Sequence, residues 1–330
     1  MEVRGAKVVG LGSYVPERIL TNAELEKMVD TTDEWIVSHT GMKERHIAAP
    51  DQATSDLAYE AAVAALRDAG MAATELDLII VATVTPDMPF PSVSSLLQGR
   101  LGATNAGAYD LAIGCTGFVY ALASASGMVQ SGMVNRVLVI AAETLSRIVD
   151  WKDRSTCVLF GDGAGAVVVA PGEPNEGCRA FELRADGTNW QYLKTVAGGS
   201  RQPVTQAAID AGETYLYMEG HEVFKLAVRG CPEVSEAVMA KAGVTHNDID
   251  WAVFHQANRR IVEAAAKRLD IPDDRVICDV ESYGNTSAAS IPLAMDDLYK
   301  DGKLKTGDNI LLAAFGAGFS LAGAVLQWTK

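Results

Sequence analysis

The stretch Asp110–Leu122 reads DLAIGCTGFVYAL, and the reading of its cysteine decides the rest of the chain. An apolar strand, AYDLA, ends here and a small-residue helix, GFVYALASASGMVQSG, begins, with Cys115 on the turn between Gly114 and Thr116. A buried cysteine commonly acts as a small hydrophobe. At a helix N-terminus, however, backbone N–H groups and the helix dipole favour negative charge, and the same residue can serve as a thiolate. On this stretch alone the two readings stay open.

Outward from it, LDLIIVATV and RVLVIAAE are runs of branched apolar residues, the mark of strands buried on both faces. SDLAYEAAVAALRDAGM and SVSSLLQGRLG read as helices between them. The alternation predicts an α/β architecture with helices covering a sheet. The C-terminal third repeats the plan: EVSEAVMAKAGVTHNDIDWAVFH parallels AYEAAVAALRDAGMAATELDLIIVAT, and RIVEAAAKRLDIPDDRVICDVESYGNTSAASIPLAM parallels SVSSLLQGRLGATNAGAYDLAIGCTGFVYALAS. GDNILLAAFGAGFSLAGAVLQW then matches the NRVLVIAAE strand and FGDGAGAVVVA. Matching order across four consecutive elements predicts a duplicated unit, with halves 1–171 and 172–330. Two halves packed about a pseudo-two-fold axis would set the Cys115 turn opposite the Asn285 turn.

Composition narrows the function classes. The chain has 330 residues, 48% hydrophobic and 21% charged, an ordinary globular balance. A net charge of −14 argues against general nucleic-acid or anionic-membrane binding. No apolar run approaches a membrane span, and the N-terminal residues lack a signal-peptide pattern. Five scattered cysteines without C-x-x-C spacing predict neither a disulfide framework nor a zinc site, and a cytoplasmic setting.

Three polar residues do not fit a core. His255, in AVFHQANRRI, ends a buried strand, where α/β sheets usually bind ligands. Asn285, in SYGNTSAASIP, precedes a small-residue helix, where asparagine is commonly only an N-cap. With the duplication, Cys115 and Asn285 occupy equivalent turns, and thiol, imidazole and carboxamide converge on one cavity as a nucleophile and two donors. No Asp or Glu is expected at a comparable turn, so serine-hydrolase logic does not apply.

Over essentially its whole length the sequence resembles the thiolase-fold condensing enzymes, specifically β-ketoacyl-acyl-carrier-protein synthase III. The motifs that carry the resemblance are GCTGFVYAL, DRSTCVLFGDGAGAVVV, HQANRRI, YGNTSAASIPLAM and FGAGFS, in this order. It implies a layered αβαβα fold. It also implies that Cys115 takes an acyl group from acyl-CoA, and that His255 and Asn285 bind a malonyl thioester and stabilise the enolate left by loss of CO2. The Cys115 N–H and that of Ala317, where the family often has glycine, would form the oxyanion hole. A degradative thiolase would carry a second cysteine in the Gly-rich loop, which AFGAGF lacks; an elongating synthase would have histidine in place of Asn285.

The same resemblance assigns Trp35, Arg154, Gly220 and Asn258 to CoA, leaving open whether His39 touches it, since the family often has arginine there. It gives Phe90 and Phe315 to the acyl pocket, with Phe90 reaching into a neighbouring subunit, and so implies a homodimer. CoA thioesters enter as substrates, with no cofactor or metal. Arg259, Arg260, Lys267 and Arg268 cluster on one helix of this acidic chain, with Lys225 and Arg229 placed close by. By helical spacing Arg260, Lys267 and Arg268 share a face. Such a run is usually a solvated surface, yet beside a thioester tunnel it suits docking of an acidic carrier protein. The rival readings are a starter condensing enzyme of a polyketide or other secondary pathway, an acyl-CoA-binding module with an inert cysteine, and a Rossmann dehydrogenase. The last is ranked low because neither GLGSYVP nor GDGAGA is a G-x-G-x-x-G opening a helix.

Overall fold

A computed structural model describes residues 4–330. Two mixed sheets carry it. The first contains β1 (Gly5–Tyr14), β4 (Leu78–Ala82), β5 (Gly107–Leu111), β6 (Val137–Glu143) and β7 (Gly163–Gly172) in the order β1-β7-β6-β4-β5. The second contains β8 (Cys178–Ala185), β11 (Trp251–Phe254), β12 (Asn309–Gly316) and β13 (Ser320–Gln327) in the order β11-β12-β13-β8. Two ribbons, β2 (Arg18–Thr21) with β3 (Glu44–Ile47) and β9 (Leu193–Thr195) with β10 (Leu216–Met218), lie outside the sheets.

The sheets are copies of one plan. Parallel β4 beside β6 corresponds to parallel β11 beside β12, and antiparallel β6–β7–β1 corresponds to antiparallel β12–β13–β8. The counterpart of β5 has shrunk to a single bridge between Ala252 and Val276. Chain duplication thus persists in pairing sense even where one strand has nearly gone.

Five layers follow from where apolar faces are buried. Helices Gly117–Gln130 and Ser290–Lys300 lie between the sheets, where Phe118, Leu122, Ile291 and Met295 join Val139, Val167, Leu312 and Ala324 in one core. Helix Thr54–Ala69 covers the outer face of the first sheet through Leu57, Ala61 and Ala65. Helices Gly220–Ala242 and Arg259–Leu269 cover that of the second through Val234, Val238, Ile261 and Val262. No helix among the described residues is long and apolar enough to cross a membrane.

One helix is much longer than its sequence signal. The pattern begins after Pro232, but the helix runs from Gly220 straight through it. Proline removes one intrahelical hydrogen bond. Buried Val223, Ala227, Cys231 and Val234, spaced along one stripe, hold both sides of that proline against the second sheet.

Candidate active site

The two central helices begin at the same end of the molecule, each after a tight turn. Turn Gly114–Thr116 precedes Gly117–Gln130, and turn Ser287–Ala289 precedes Ser290–Lys300. Small residues permit this approach: a Cβ on Gly117 would stand 2.8 Å from the Ala82 side chain and 3.3 Å from that of Ala288. Cys115 thus sits at the seam of the halves, with backbone from both around it.

Two cavities meet at Cys115. One, of about 230 Å3, runs from Trp35 and His39 at its outer end to Cys115, His255 and Asn285 within. The other, of about 270 Å3, is walled by Val84, Leu145, Ile148, Phe160, Leu193 and Leu216. The first is a passage to the sulfur; the second is an apolar chamber beyond it.

Each polar group is held in one orientation. The Ser287 amide donates to Asn285 Oδ1 at 2.9 Å, which turns the Asn285 NH2 outward as a free donor. The Asn285 backbone is fixed by its N–H to Leu159 O at 2.8 Å and by Gly161 N–H to its own carbonyl at 3.0 Å. Ser290 Oγ accepts from the Gln256 amide at 3.3 Å and faces His255 Nδ1 at 2.7 Å. Its proton therefore goes to Nδ1, leaving Nε2 protonated as a donor. Burial pushes the His255 pKa down to about 3, so the ring is neutral.

Burial likewise pushes the Cys115 thiol up to about 11, against the pull of the neighbouring Ser287 hydroxyl, and the nearby Glu143 carboxylate adds to the rise. The cysteine therefore rests as a thiol in spite of the helix that follows it. The loop after β12 closes over it: a Cβ on Gly316 would lie 2.9 Å from both the Cys115 nitrogen and its Cβ. Ala317 lines the chamber, and neither its amide nor that of Cys115 donates to a backbone carbonyl beyond its own turn. Ala317 keeps an ordinary negative φ, so alanine fits there without strain.

A nucleophile at the junction of a passage and a chamber, faced by two neutral donors, is the plan of a condensing enzyme. The comparisons agree with it. Models of the 3-oxoacyl-acyl-carrier-protein (ACP) synthase III family match residues 109–187 and, for its C-terminal part, 239–328. The β-ketoacyl-acyl-carrier-protein synthase III of Caldanaerobacter subterraneus is 54% identical over 325 residues, 98% of each chain. The chain belongs to the β-ketoacyl-acyl-carrier-protein synthase III family. It is an acyltransferase of the thiolase fold. The family enzyme of Geobacillus kaustophilus is 49% identical over 99% of this chain and 100% of its own. The 3-oxoacyl-acyl-carrier-protein synthase III of Aquifex aeolicus superposes with a TM-score of 0.91 at 45% identity, covering 98% of this chain and all of that one. A priming β-ketosynthase of the R1128 polyketide pathway superposes with a TM-score of 0.93 at 37% identity, covering 100% and 98%.

The remaining residues expected from the family motifs fall into place unevenly. At the mouth of the passage Trp35 stacks on His39 with ring centroids 4.4 Å apart, and the Arg154 guanidinium stands 5.1 Å from the Trp35 ring. Gly220 and Asn258 line the same passage, and the Asn258 amide bonds His39 O at 3.0 Å. Phe90 lines neither cavity of its own chain and is 84% exposed.

Three expectations need correction. Phe315 is not a wall of the chamber. On β12 it faces the second sheet's outer layer, with Phe254 and Phe319, and its ring meets His255 edge-on at 5.2 Å on the passage side. The cationic set does not form one surface either. Arg259 pairs with Glu281 at 2.9 Å and Lys225 with Glu222 at 2.9 Å, while Arg229 pairs with Glu233 at 3.0 Å. Arg260 turns into the passage over Phe224, whereas Lys267 shares a separate groove with Arg259; Arg268 is exposed. Finally, a carboxylate does stand at the comparable place. Glu143, the last residue of β6, is fully buried beneath the Cys115 and Ser287 turns. Its signal was an acidic residue closing an otherwise apolar strand.

Proposed function

We propose that this chain catalyses decarboxylative condensation of a short or branched acyl-CoA primer with malonyl-acyl-carrier protein, initiating fatty-acid synthesis. The carrying observation is the position of Cys115 at the junction of the two cavities. An acyl group on the sulfur can extend into the apolar chamber while the passage is left for a second thioester. In the first half-reaction Cys115 attacks the primer carbonyl, the Cys115 and Ala317 amides receive the oxyanion, and CoA leaves. In the second, the His255 Nε2–H and the Asn285 NH2 bind the malonyl thioester oxygen. As CO2 departs, these donors stabilise the enolate, whose carbon then attacks the acyl-Cys115 carbonyl. Neutral donors suit this task because they stabilise the developing charge without protonating it.

Trp35, Arg154, Gly220 and Asn258 are assigned to CoA and its pantetheine arm, with His39 backing the Trp35 ring. Exposed Phe90, beside Met88 and Val84, which are 42% and 40% exposed, makes an apolar patch suited to a homodimer in which Phe90 closes a neighbour's chamber. Five free cysteines fit a cytoplasmic enzyme. The reading needs no metal or resident cofactor.

The test is intact-protein mass measurement after exposure to acetyl-, isobutyryl- and longer acyl-CoAs, followed by malonyl-acyl-carrier protein. Each accepted primer should add its acyl mass to Cys115, and the added mass should discharge as a β-ketoacyl carrier with release of CO2. Cys115→Ser should take up no stable thioester. Absence of an acyl-enzyme with every primer would refute the reading.

A further inference from the structure

Arg45, on β3, is fully buried, and its three hydrogen bonds all go to neutral oxygens. Nε and Nη2 donate to the Val158 carbonyl at 3.1 and 2.5 Å. That carbonyl closes helix Arg154–Cys157, and among the described residues no backbone amide reaches it. Nη1 donates to Asn22 Oδ1 at 2.6 Å. The Asn22 NH2 is committed to Asp33 Oδ1 at 2.7 Å and to Met42 O at 2.9 Å, so its oxygen is left facing Arg45. Asp33 thus answers the buried charge only through a carboxamide. Burial lowers the Arg45 pKa to about 10, and the guanidinium stays charged at neutral pH. Burying a cation without a carboxylate in contact is costly, so what it holds matters.

It holds the segment that carries Asn285. Leu159 O accepts from the Asn285 amide at 2.8 Å, Phe160 pairs with Asn285 in a single parallel bridge, and the Gly161 amide donates to the Asn285 carbonyl at 3.0 Å. The guanidinium anchors this short ladder at its start, through Val158. The aliphatic stem of the same side chain lies against the ladder itself. A Cβ on Gly284 would stand 3.0 Å from Arg45 Cγ and 2.8 Å from Leu159 O, and one on Gly161 would stand 3.4 Å from Arg45 Cβ. Arg45 lines neither cavity, so it reaches the site only through Asn285 and its ladder.

We propose that Arg45 is the positioning residue for Asn285: it sets where the carboxamide donor stands for the malonyl step and leaves acylation of Cys115 alone. The supports of the other two site residues are separate. The Cys115 turn is held by Thr116 Oγ1, which bonds Ile113 O at 3.1 Å and meets Ser320 Oγ at 2.9 Å. His255 is held by its amide to Ala313 O at 2.8 Å and by Ser290. Of the three, only Asn285 depends on a bond that Arg45 makes.

The test compares CO2 release from malonyl-acyl-carrier protein with the acyl-CoA burst, read by intact mass, in Arg45→Met, Arg45→Lys, Asn285→Ala and the Arg45→Met/Asn285→Ala double variant. Arg45→Met keeps the stem but frees the ladder, and the misplaced donor should cost about 30-fold in CO2 release. Arg45→Lys keeps the charge and one bond to Val158 O, and should lose only about 5-fold. The burst at saturating acyl-CoA should stay within about 3-fold of normal, since Cys115 keeps its own support. On top of Asn285→Ala, Arg45→Met should cost no more than about 2-fold further, because two changes acting through one group do not add. Amide hydrogens of 156–161 and 283–287 should exchange about 10-fold faster in Arg45→Met, while those of 110–122 keep their rate. Equal loss in both half-reactions, the full cost retained on top of Asn285→Ala, or unchanged exchange at 283–287 overturns the proposal. Should Arg45→Met fail to fold, Arg45→Lys decides alone by the same comparisons, with Arg45→Lys/Asn285→Ala as its double variant. The inference rests on Asn285 as donor to the malonyl thioester, but the exchange measurement uses no substrate. A chain that exchanges as described yet releases no CO2 keeps the placement of Asn285 by Arg45 and loses the proposed function.

Discussion

The Ser287 amide holds the Asn285 side-chain carbonyl at 2.9 Å, and this one bond decides which end of the carboxamide faces the cavity. Asparagine is required there as a donor. Asn285→Asp keeps the shape and the bond to Ser287 but presents an oxygen, and then a negative charge, to the enolate. Condensation should fall about 100-fold or more, the scale of losing one oxyanion donor. Acyl-enzyme formation at Cys115, followed by mass, should remain within a few-fold of normal. Equal loss of both half-reactions would count against the assignment.

Ser290 plays the matching part for His255. Removing its hydroxyl in Ser290→Ala frees the imidazole to place its proton on Nδ1, turning Nε2 into an acceptor. A drop of about 10-fold in CO2 release is expected from the loss of a fixed donor orientation, with primer transfer unchanged. In the unmodified enzyme His255 stays neutral from pH 5 to 9, because burial holds it near 3. The condensation step should therefore lack an imidazole inflection between pH 6 and 7. For stability the sign is set by the unfolded chain, which binds this proton near 6.5 while the folded one does not. Acidification below 6.5 favours unfolding, and above it this contribution to stability is intact.

Gly316 is needed for closeness. A methyl group there would stand 2.9 Å from the Cys115 nitrogen and Cβ, so Gly316→Ala must displace the nucleophile or the loop. Primer transfer should fall by 10-fold or more while thermal unfolding shifts by only a few degrees. A variant with normal burst kinetics would show that the loop yields freely.

The surface cations make separable predictions. Lys267→Glu with Arg268→Glu, away from the passage, should raise KM for malonyl-acyl-carrier protein several-fold without altering primer transfer. Arg260→Glu should impair both substrates, since Arg260 lines the passage they share. Arg259 is tied to Glu281 and packs against Gly41, so its loss should be read first in stability.

Buried Glu143 predicts a pH signature in stability as well. Its folded pKa lies above the ordinary carboxyl value of 4.5, so the folded state loses relative stability as pH rises from 4.5 through about 7. Glu143→Gln should therefore gain in Tm over the unmodified enzyme more at pH 8.5 than at pH 5. The reverse ordering would mean the carboxylate is stabilised where it sits.

Cys115 and His255 were legible in the sequence because each is a polar group where a strand ends, and Asn285, which follows the short helix Val280–Tyr283, because the halves repeat. That logic carried the sheets too, since pairing sense follows element order. It missed Glu143 because one acidic residue after VLVIAA reads as the strand's exit into solvent, and nothing local reveals that Thr83, Thr85 and Ser287 come from elsewhere to satisfy it. The chamber was equally hidden, since Leu145, Ile148, Leu193 and Leu216 belong to connections without periodicity. Phe315 was misplaced because the face of a strand residue depends on register, and the shared-surface reading of the cations failed because helical spacing says nothing about Glu281 or Glu222.

A single sulfur bordering both cavities imposes an order of events. The passage runs from Trp35 to Cys115, His255 and Asn285, and the chamber borders the same sulfur, so both thioesters are drawn to one passage. The first visitor must deposit its cargo inward and back out before the second can be admitted. Free CoA lingering in the passage then behaves as a plug against the carrier-bound substrate, and the pace of turnover is set partly by how quickly the doorway is vacated.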